Sequence, residues 1–105
     1  MKLKKILVAS VLAITAGLLL GASDFGYAPK DGFVPNEETA IKIAVAVWSP
    51  IYGGKKIADE APYSVKLRDG IWIVQGSVPP GHLGGAAYAE IAKSDGRIVR
   101  VTHYQ

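Results

Sequence analysis

Residues 36–53 read Asn-Glu-Glu-Thr-Ala-Ile-Lys-Ile-Ala-Val-Ala-Val-Trp-Ser-Pro-Ile-Tyr-Gly, and their periodicity decides the fold. Ala40, Ile43, Ala44, Val47 and Ile51 recur at the spacing that lines one face of an α-helix, with Ile41, Val45, Trp48 and Tyr52 as a second stripe beside it. Only a narrow strip through Glu38, Lys42 and Ser49 is polar. Each fully buried Val, Ile or aromatic side chain contributes about 1.5–3 kcal/mol, and only if something covers it. The helix must therefore lie against the rest of the chain. Asn36 suits the N-cap, and Glu37 and Glu38 place negative charge at the positive end of the helix dipole. Pro50 lacks the N–H the helix ladder needs and disfavours α geometry at Ser49, so the helix is expected to kink or break there.

From Tyr63 the period changes to two. Tyr63, Val65 and Leu67 alternate with Ser64, Lys66 and Arg68, and Asp69-Gly70 turns the chain into Ile71-Trp72-Ile73-Val74, a β-hairpin signal. That second strand is apolar on both faces, so its orientation stays open. A third strand is expected from Ala86 to Lys93 and a fourth from Arg97 to His103, joined around Ser94-Asp95-Gly96. Placing Gly96 in the left-handed position sets Ile91 opposite Val99, Glu90 opposite Arg100 and Ala89 opposite Val101, which sorts apolar from polar. Between the hairpins, Gly76 to Gly85 holds paired prolines and four glycines, a long loop of the kind that carries function on small domains.

Upstream, residues 24–35 contain Gly26, Pro29, Gly32 and Pro35 without periodicity, an irregular lead-in whose Phe25, Tyr27 and Phe33 are apolar enough to dock on the domain. Residues 1–23 have the form of an export signal: Lys2, Lys4 and Lys5, an apolar run from Ile6 to Leu20, then Gly21, Ala22 and Ser23. The run is shorter than the roughly 20 residues of a membrane span, so cleavage near Ala22 or Ser23 is expected, with an uncleaved membrane anchor as the alternative. Ser23 stands where a lipoprotein would carry its acylated cysteine.

Charge follows the same division. Three of the twelve basic residues are Lys2, Lys4 and Lys5, leaving nine against nine acidic ones. The basic balance that would suggest nucleic acid thus belongs largely to the signal, and neither nucleic acid nor, after cleavage, membrane is an expected partner. The chain has no cysteine, so the domain is held by its core alone.

The chemistry-bearing residues are few. His82 and His103 are the only histidines, no metal-ligand spacing joins them, and no metal or cofactor is expected. His103 reads as a partly buried, hydrogen-bonded residue, and His82 as exposed. Gly81 to Gly85 lacks the helix start that would make it a phosphate cradle. Glu90, Tyr88 and Arg100 could line a pocket, but Glu90 facing Arg100 is ordinary sheet pairing. No nucleophile–base set is present. Trp48 and Trp72 lie in apolar periodic segments and read as core.

Five segments together resemble a known family. They are residues 40–53, Pro-Tyr-Ser-Val-Lys-Leu at 62–67, Gly-Ile-Trp-Ile-Val-Gln-Gly at 70–76, Gly-Gly-Ala-Ala-Tyr-Ala-Glu-Ile at 84–91 and Asp-Gly-Arg-Ile-Val-Arg-Val-Thr-His at 95–103. They resemble the NTF2-fold immunity proteins of bacterial polymorphic toxin systems, with the Trp-x-Pro-Ile-Tyr-Gly turn as the most specific part. The resemblance implies an NTF2-like or cystatin-like domain over residues 36–105 that is not an enzyme and that binds and neutralises a cognate toxin. Trp48, Pro50, Tyr52, Gly53, Trp72, Tyr88 and His103 carry the family pattern as framework positions. A second, shorter likeness links residues 88–101 to PepSY modules, which would make the chain an exported binding or peptidase-inhibitor module.

The expected architecture is α+β, one main helix on a curved antiparallel sheet of about four strands. The expected function is an exported immunity protein acting by occlusion in the periplasm or envelope. Its partner contacts are expected at His82, Leu83, Tyr88 and Arg100. An enzyme would instead need a pocket floored by Glu90 or His103.

Overall fold

The computed structural model describes residues 26–104. The expected export signal lies outside them, as do Asp24 and Phe25 of the lead-in. Helix α1 spans Glu37–Tyr52 and α2 Gly54–Ala58, followed by strands β1 (Ser64–Arg68), β2 (Ile71–Gln75), β3 (Ala87–Ala92) and β4 (Ile98–His103). The strands form one antiparallel sheet in sequence order, and α1 lies across one face of it. The α+β architecture expected from the alternation of periods is the one observed.

α1 begins as its sequence dictates: Asn36 Oδ1 accepts the Thr39 N–H at 2.9 Å and the Thr39 hydroxyl at 2.8 Å. The helix does not break at Pro50. It continues to Tyr52 and ends at Gly53, whose N–H donates to the Ser49 carbonyl at 2.8 Å from a backbone with φ of 103°. Pro50 is tolerated because it sits in the last turn, where only one ladder bond is lost. The buried stripe is Ala40, Ala44 and Trp48, with Ile41, Ile43, Val45 and Tyr52 half-buried around it, while Ile51 is exposed. Two alanines let the helix approach the sheet closely, and Trp48 fills what remains.

The β1–β2 hairpin closes with Asp69 and Gly70 at φ of 49° and 77°, a tight two-residue turn pairing Arg68 with Ile71. This settles the orientation of β2: Trp72 and Val74 face the helix, and Ile71 and Ile73 face away. On β3, Ala87, Ala89 and Ile91 join them in the core.

In the second hairpin Ala89 pairs with Val101 and Glu90 with Arg100 as expected, but Ile91 pairs with Ile98 rather than Val99. Two constraints disagree by one residue. At the turn, Asp95 Oδ1 accepts the Arg97 N–H at 3.0 Å and the Ala92 N–H donates to the Arg97 carbonyl at 2.9 Å, which fixes where β4 starts. Burial of Ala89 fixes where it ends. Val99, half-exposed, is the residue left over as a β-bulge.

The lead-in docks through a residue other than those expected. Val34 is fully buried, whereas Phe33 and Tyr27 are exposed. Backbone bonds from Phe33 to Ser94 (2.9 Å) and from Val34 to Lys93 (3.0 Å) attach this segment beside the second turn, and Lys93 Nζ donates to the Asp31 carbonyl. Trp72 Nε1 completes the attachment by donating to the Val34 carbonyl at 2.7 Å. Both tryptophans are core residues with satisfied N–H groups, Trp48 Nε1 donating to the Tyr88 carbonyl at 3.2 Å.

Candidate functional site

The long β2–β3 loop is anchored at its base by a buried carboxylate. Glu60 lies in the short connection between α2 and β1, where the Ser77 N–H donates to its carbonyl at 2.7 Å and the Ser77 hydroxyl lies between that carbonyl (3.0 Å) and the Pro62 carbonyl (2.6 Å). Its side chain is 7% exposed. Oε1 accepts the N–H of fully buried Ala87 at 2.8 Å, and Oε2 lies 2.9 Å from His103 Nε2. Gly76 makes room for it, since a Cβ there would lie 2.4 Å from Oε1. One side chain thus ties the α2–β1 connection to β3 and to the end of β4.

Both ring nitrogens of His103 have a partner: Nδ1 lies 3.0 Å from the Tyr104 carbonyl oxygen, which accepts from a ring N–H, and Nε2 lies 2.9 Å from Glu60 Oε2. Both polar ends are engaged within the protein, which suits a clamp. Close by, the Tyr63 hydroxyl donates to the Ile57 carbonyl at 2.7 Å, and burial followed by the Glu60 charge raises its pKa above 10.0.

Above the clamp the loop borders two adjoining clefts of about 200 and 320 Å³, both edged by Lys56, Leu83 and Gly85. His82 lies at the rim of the first and His103 at the floor of the second. Leu83 projects fully into solvent, 98% exposed. The loop is less pliable at its end than its glycines suggest. A Cβ on Gly85 would stand 1.8 Å from the Tyr104 carbonyl oxygen, so this glycine exists to let two backbones touch. Among the described residues no three His, Asp or Glu side chains converge as a metal site.

Tyr88 and Arg100 lie elsewhere, on the sheet face turned away from α1. The Tyr88 hydroxyl donates to Glu90 Oε2 at 2.5 Å, and this bond, with burial behind it, raises the Tyr88 pKa above 10.0. The Arg100 guanidinium sits 5.6 Å from the centre of the Tyr88 ring. Tyr104 meets Tyr88 edge-on at 5.4 Å while its backbone abuts Gly85, so it connects this face to the end of the loop.

The four expected contact residues therefore divide into two surfaces that meet at Tyr104. His82 and Leu83 belong to the loop, Tyr88 and Arg100 to the open sheet face. His103 is partly buried and hydrogen-bonded as its strand position suggested. Glu60 was not foreseen. It sits in a stretch without periodicity, and its only sequence signal is the acidic pair Asp59-Glu60 before Ala61-Pro62.

Comparison with known proteins agrees with this architecture. A family described as NTF2 fold immunity protein matches residues 39–105. The chain is also 30% identical over 71 residues to the uncharacterized protein YhhH of Escherichia coli (strain K12), covering 67% of this chain and 56% of that relative. No solved structure matches. The chain belongs to the NTF2-fold immunity proteins, and its helix on a four-stranded open sheet is an NTF2-like α+β fold.

Proposed function

We propose that this immunity-family member has no catalysis of its own and neutralises a cognate protein toxin by covering the surface the toxin needs. The observation that carries the reading is the presentation of Leu83: a large apolar side chain, 98% exposed, on a loop whose base is fixed by the Glu60–His103 clamp. An apolar group held in water at the tip of an anchored loop gains stabilisation only when a partner covers it. His82 beside it, and Tyr88 and Arg100 on the adjoining face, complete the contact set. The encounter we propose takes place in the periplasm or cell envelope, against a toxin acting on wall or membrane, a reading supported by the signal-like pattern of residues 1–23. The hairpin 88–101 that resembles PepSY modules lies within the family match, so it supports no separate reading.

The test is to search the neighbouring genes for a toxin and to co-express any that is found with this protein. His82→Ala with Leu83→Ala should weaken protection while leaving the melting temperature where it was, because both side chains are exposed. Full protection by that double variant would remove the loop from the interface.

A further inference from the structure

The sheet face opposite α1 has a composition its structural role does not require. Its central row runs Lys66, Ile73, Glu90, Arg100 across the four strands, and the next row runs Arg68, Ile71, Ala92. Lys66, Arg68 and Arg100 are exposed, and none forms an ion pair among the described residues. Elsewhere on the domain, Lys42, Lys55 and Arg97 each have a carboxylate within 3.4 Å and Lys93 donates to the Asp31 carbonyl, while Lys30 and Lys56 are unpaired among the described residues but stand singly rather than together on one face. The one acid within the strands of this face, Glu90, already accepts the Tyr88 hydroxyl. Beside Arg68 lies a groove of about 250 Å³ lined by Ile71, Ile73 and Tyr88, with Asp69 and Glu90 as its acids.

Resting on the toxin-binding reading above, we propose that this face receives an acidic surface of the toxin: apolar side chains enter over Ile71 and Ile73, and carboxylates meet Lys66, Arg68 and Arg100. Strands lie about 4.8 Å apart, so Lys66 and Arg100, three strands apart in one row, stand about 14 Å from each other. Two separate carboxylates match that spacing. A continuous run of phosphates would instead cross Glu90 at the middle of the row, which disfavours nucleic acid. The half-buried isoleucines give a desolvated centre and the arginines a charged rim, the arrangement of a protein contact. Four strands of five or six residues present a flat area of about 350 Å², under half of the roughly 800 Å² a stable partner covers. The toxin must therefore extend past the sheet, and Tyr104 leads it toward Leu83.

The experiment titrates wild type and the Lys66→Glu, Arg68→Glu, Arg100→Glu variant against the toxin from which the wild type protects cells, at low and high salt. Urea unfolding confirms that the variant is folded, and the corresponding triple Gln variant serves if charge reversal impairs folding. Wild-type affinity should fall as salt rises. The triple variant should bind at least tenfold more weakly with a flatter salt dependence, while His82→Ala with Leu83→Ala keeps the salt slope. Wild-type binding by the triple variant overturns the proposal and leaves the immunity reading standing. Failure of the wild type to protect overturns both. Unchanged toxin binding, with charge-dependent binding to a 20-base-pair duplex or phosphatidylglycerol vesicles, or with a dimer that the substitutions dissociate, assigns the face to another occupant and also overturns it.

Discussion

Glu60→Ala tests whether the clamp holds the domain together. The substitution strands two groups at once: the N–H of Ala87, a residue with no solvent exposure, and the ring of His103, whose side chain is 13% exposed. An unsatisfied buried donor costs about 1–3 kcal/mol, and removing one partner of a buried pair about 3–5 kcal/mol. These costs overlap, so the expected loss is about 3–5 kcal/mol in total. A domain of about 80 residues has roughly 4–12 kcal/mol of stability, so the variant should be near the edge of folding. Glu60→Gln is the informative companion. Its carbonyl still accepts from Ala87, and its amide donates to His103 Nε2 while Nδ1–H continues to face the Tyr104 carbonyl, so it should lose only about 0.5–1.5 kcal/mol. Urea unfolding followed by the fluorescence of Trp48 and Trp72 reads both. With a slope of about 1–1.5 kcal/mol per molar urea, Glu60→Ala should lower the midpoint by roughly 2 M or more. Equal losses for Ala and Gln, or a loss under about 1 kcal/mol for Ala, would refute the clamp.

Gly85→Ala should cost about 1–3 kcal/mol, because the new methyl meets the Tyr104 backbone rather than a yielding side chain. Gly54→Ala, with nothing within 4 Å of the added carbon, should cost nothing measurable, and paired thermal melts compare the two. Tyr88→Phe removes the donor to Glu90 and should destabilise the domain at neutral pH. The Tyr88 pKa is raised in the folded protein, so the contribution is full below the unfolded value of 10.0 and fades as pH rises through the folded value. The gap in stability between wild type and variant should therefore narrow between pH 9 and pH 12, measured by urea midpoints across that range; a constant gap would separate it from this hydrogen bond.

The parts of the fold legible in the sequence are those written in periodicity. Asn36, the switch of period at Tyr63, and Asp69-Gly70 each fix an element through local chemistry, and each appears where it was read. The misreadings arise where a distant contact outweighs a local one. Pro50 signals an end, but the chain has only two more helical residues to lose, and Gly53 supplies the actual stop. Phe33 has more apolar surface than Val34, yet the backbone bonds of Phe33 to Ser94 and of Val34 to Lys93, with the Trp72 bond to the Val34 carbonyl, fix the segment with Val34 inward and Phe33 out. Gly85 reads as freedom and proves to be a close approach. Glu60 could not be read at all, since its partners Ala87 and His103 are 27 and 43 residues away and carry no shared pattern.

The alternation of the sheet also separates what holds this protein together from what we assign to recognition. Trp72, Val74, Ala87, Ala89 and Ile91 on the two central strands point toward α1 and make the core, while Lys66, Arg68 and Arg100 on the outer strands β1 and β4 point the other way, next to Val65 and Val101, which pack against that core. A substitution among the cations changes the charge of the open face without moving a core atom, and exposed substitutions of this kind usually alter stability by less than about 0.5 kcal/mol. Tyr88 is the exception, because its hydroxyl serves Glu90 on the open face while its carbonyl holds Trp48 Nε1 on the other. Partner choice can therefore drift at Lys66, Arg68, Arg100 and Leu83 at little cost to folding, whereas the backbone at Tyr88 cannot shift without disturbing the largest side chain in the core. If that assignment holds, such a domain would meet new partners by changing one face and one loop tip, and would leave the helix seated where its alanines and Trp48 require it.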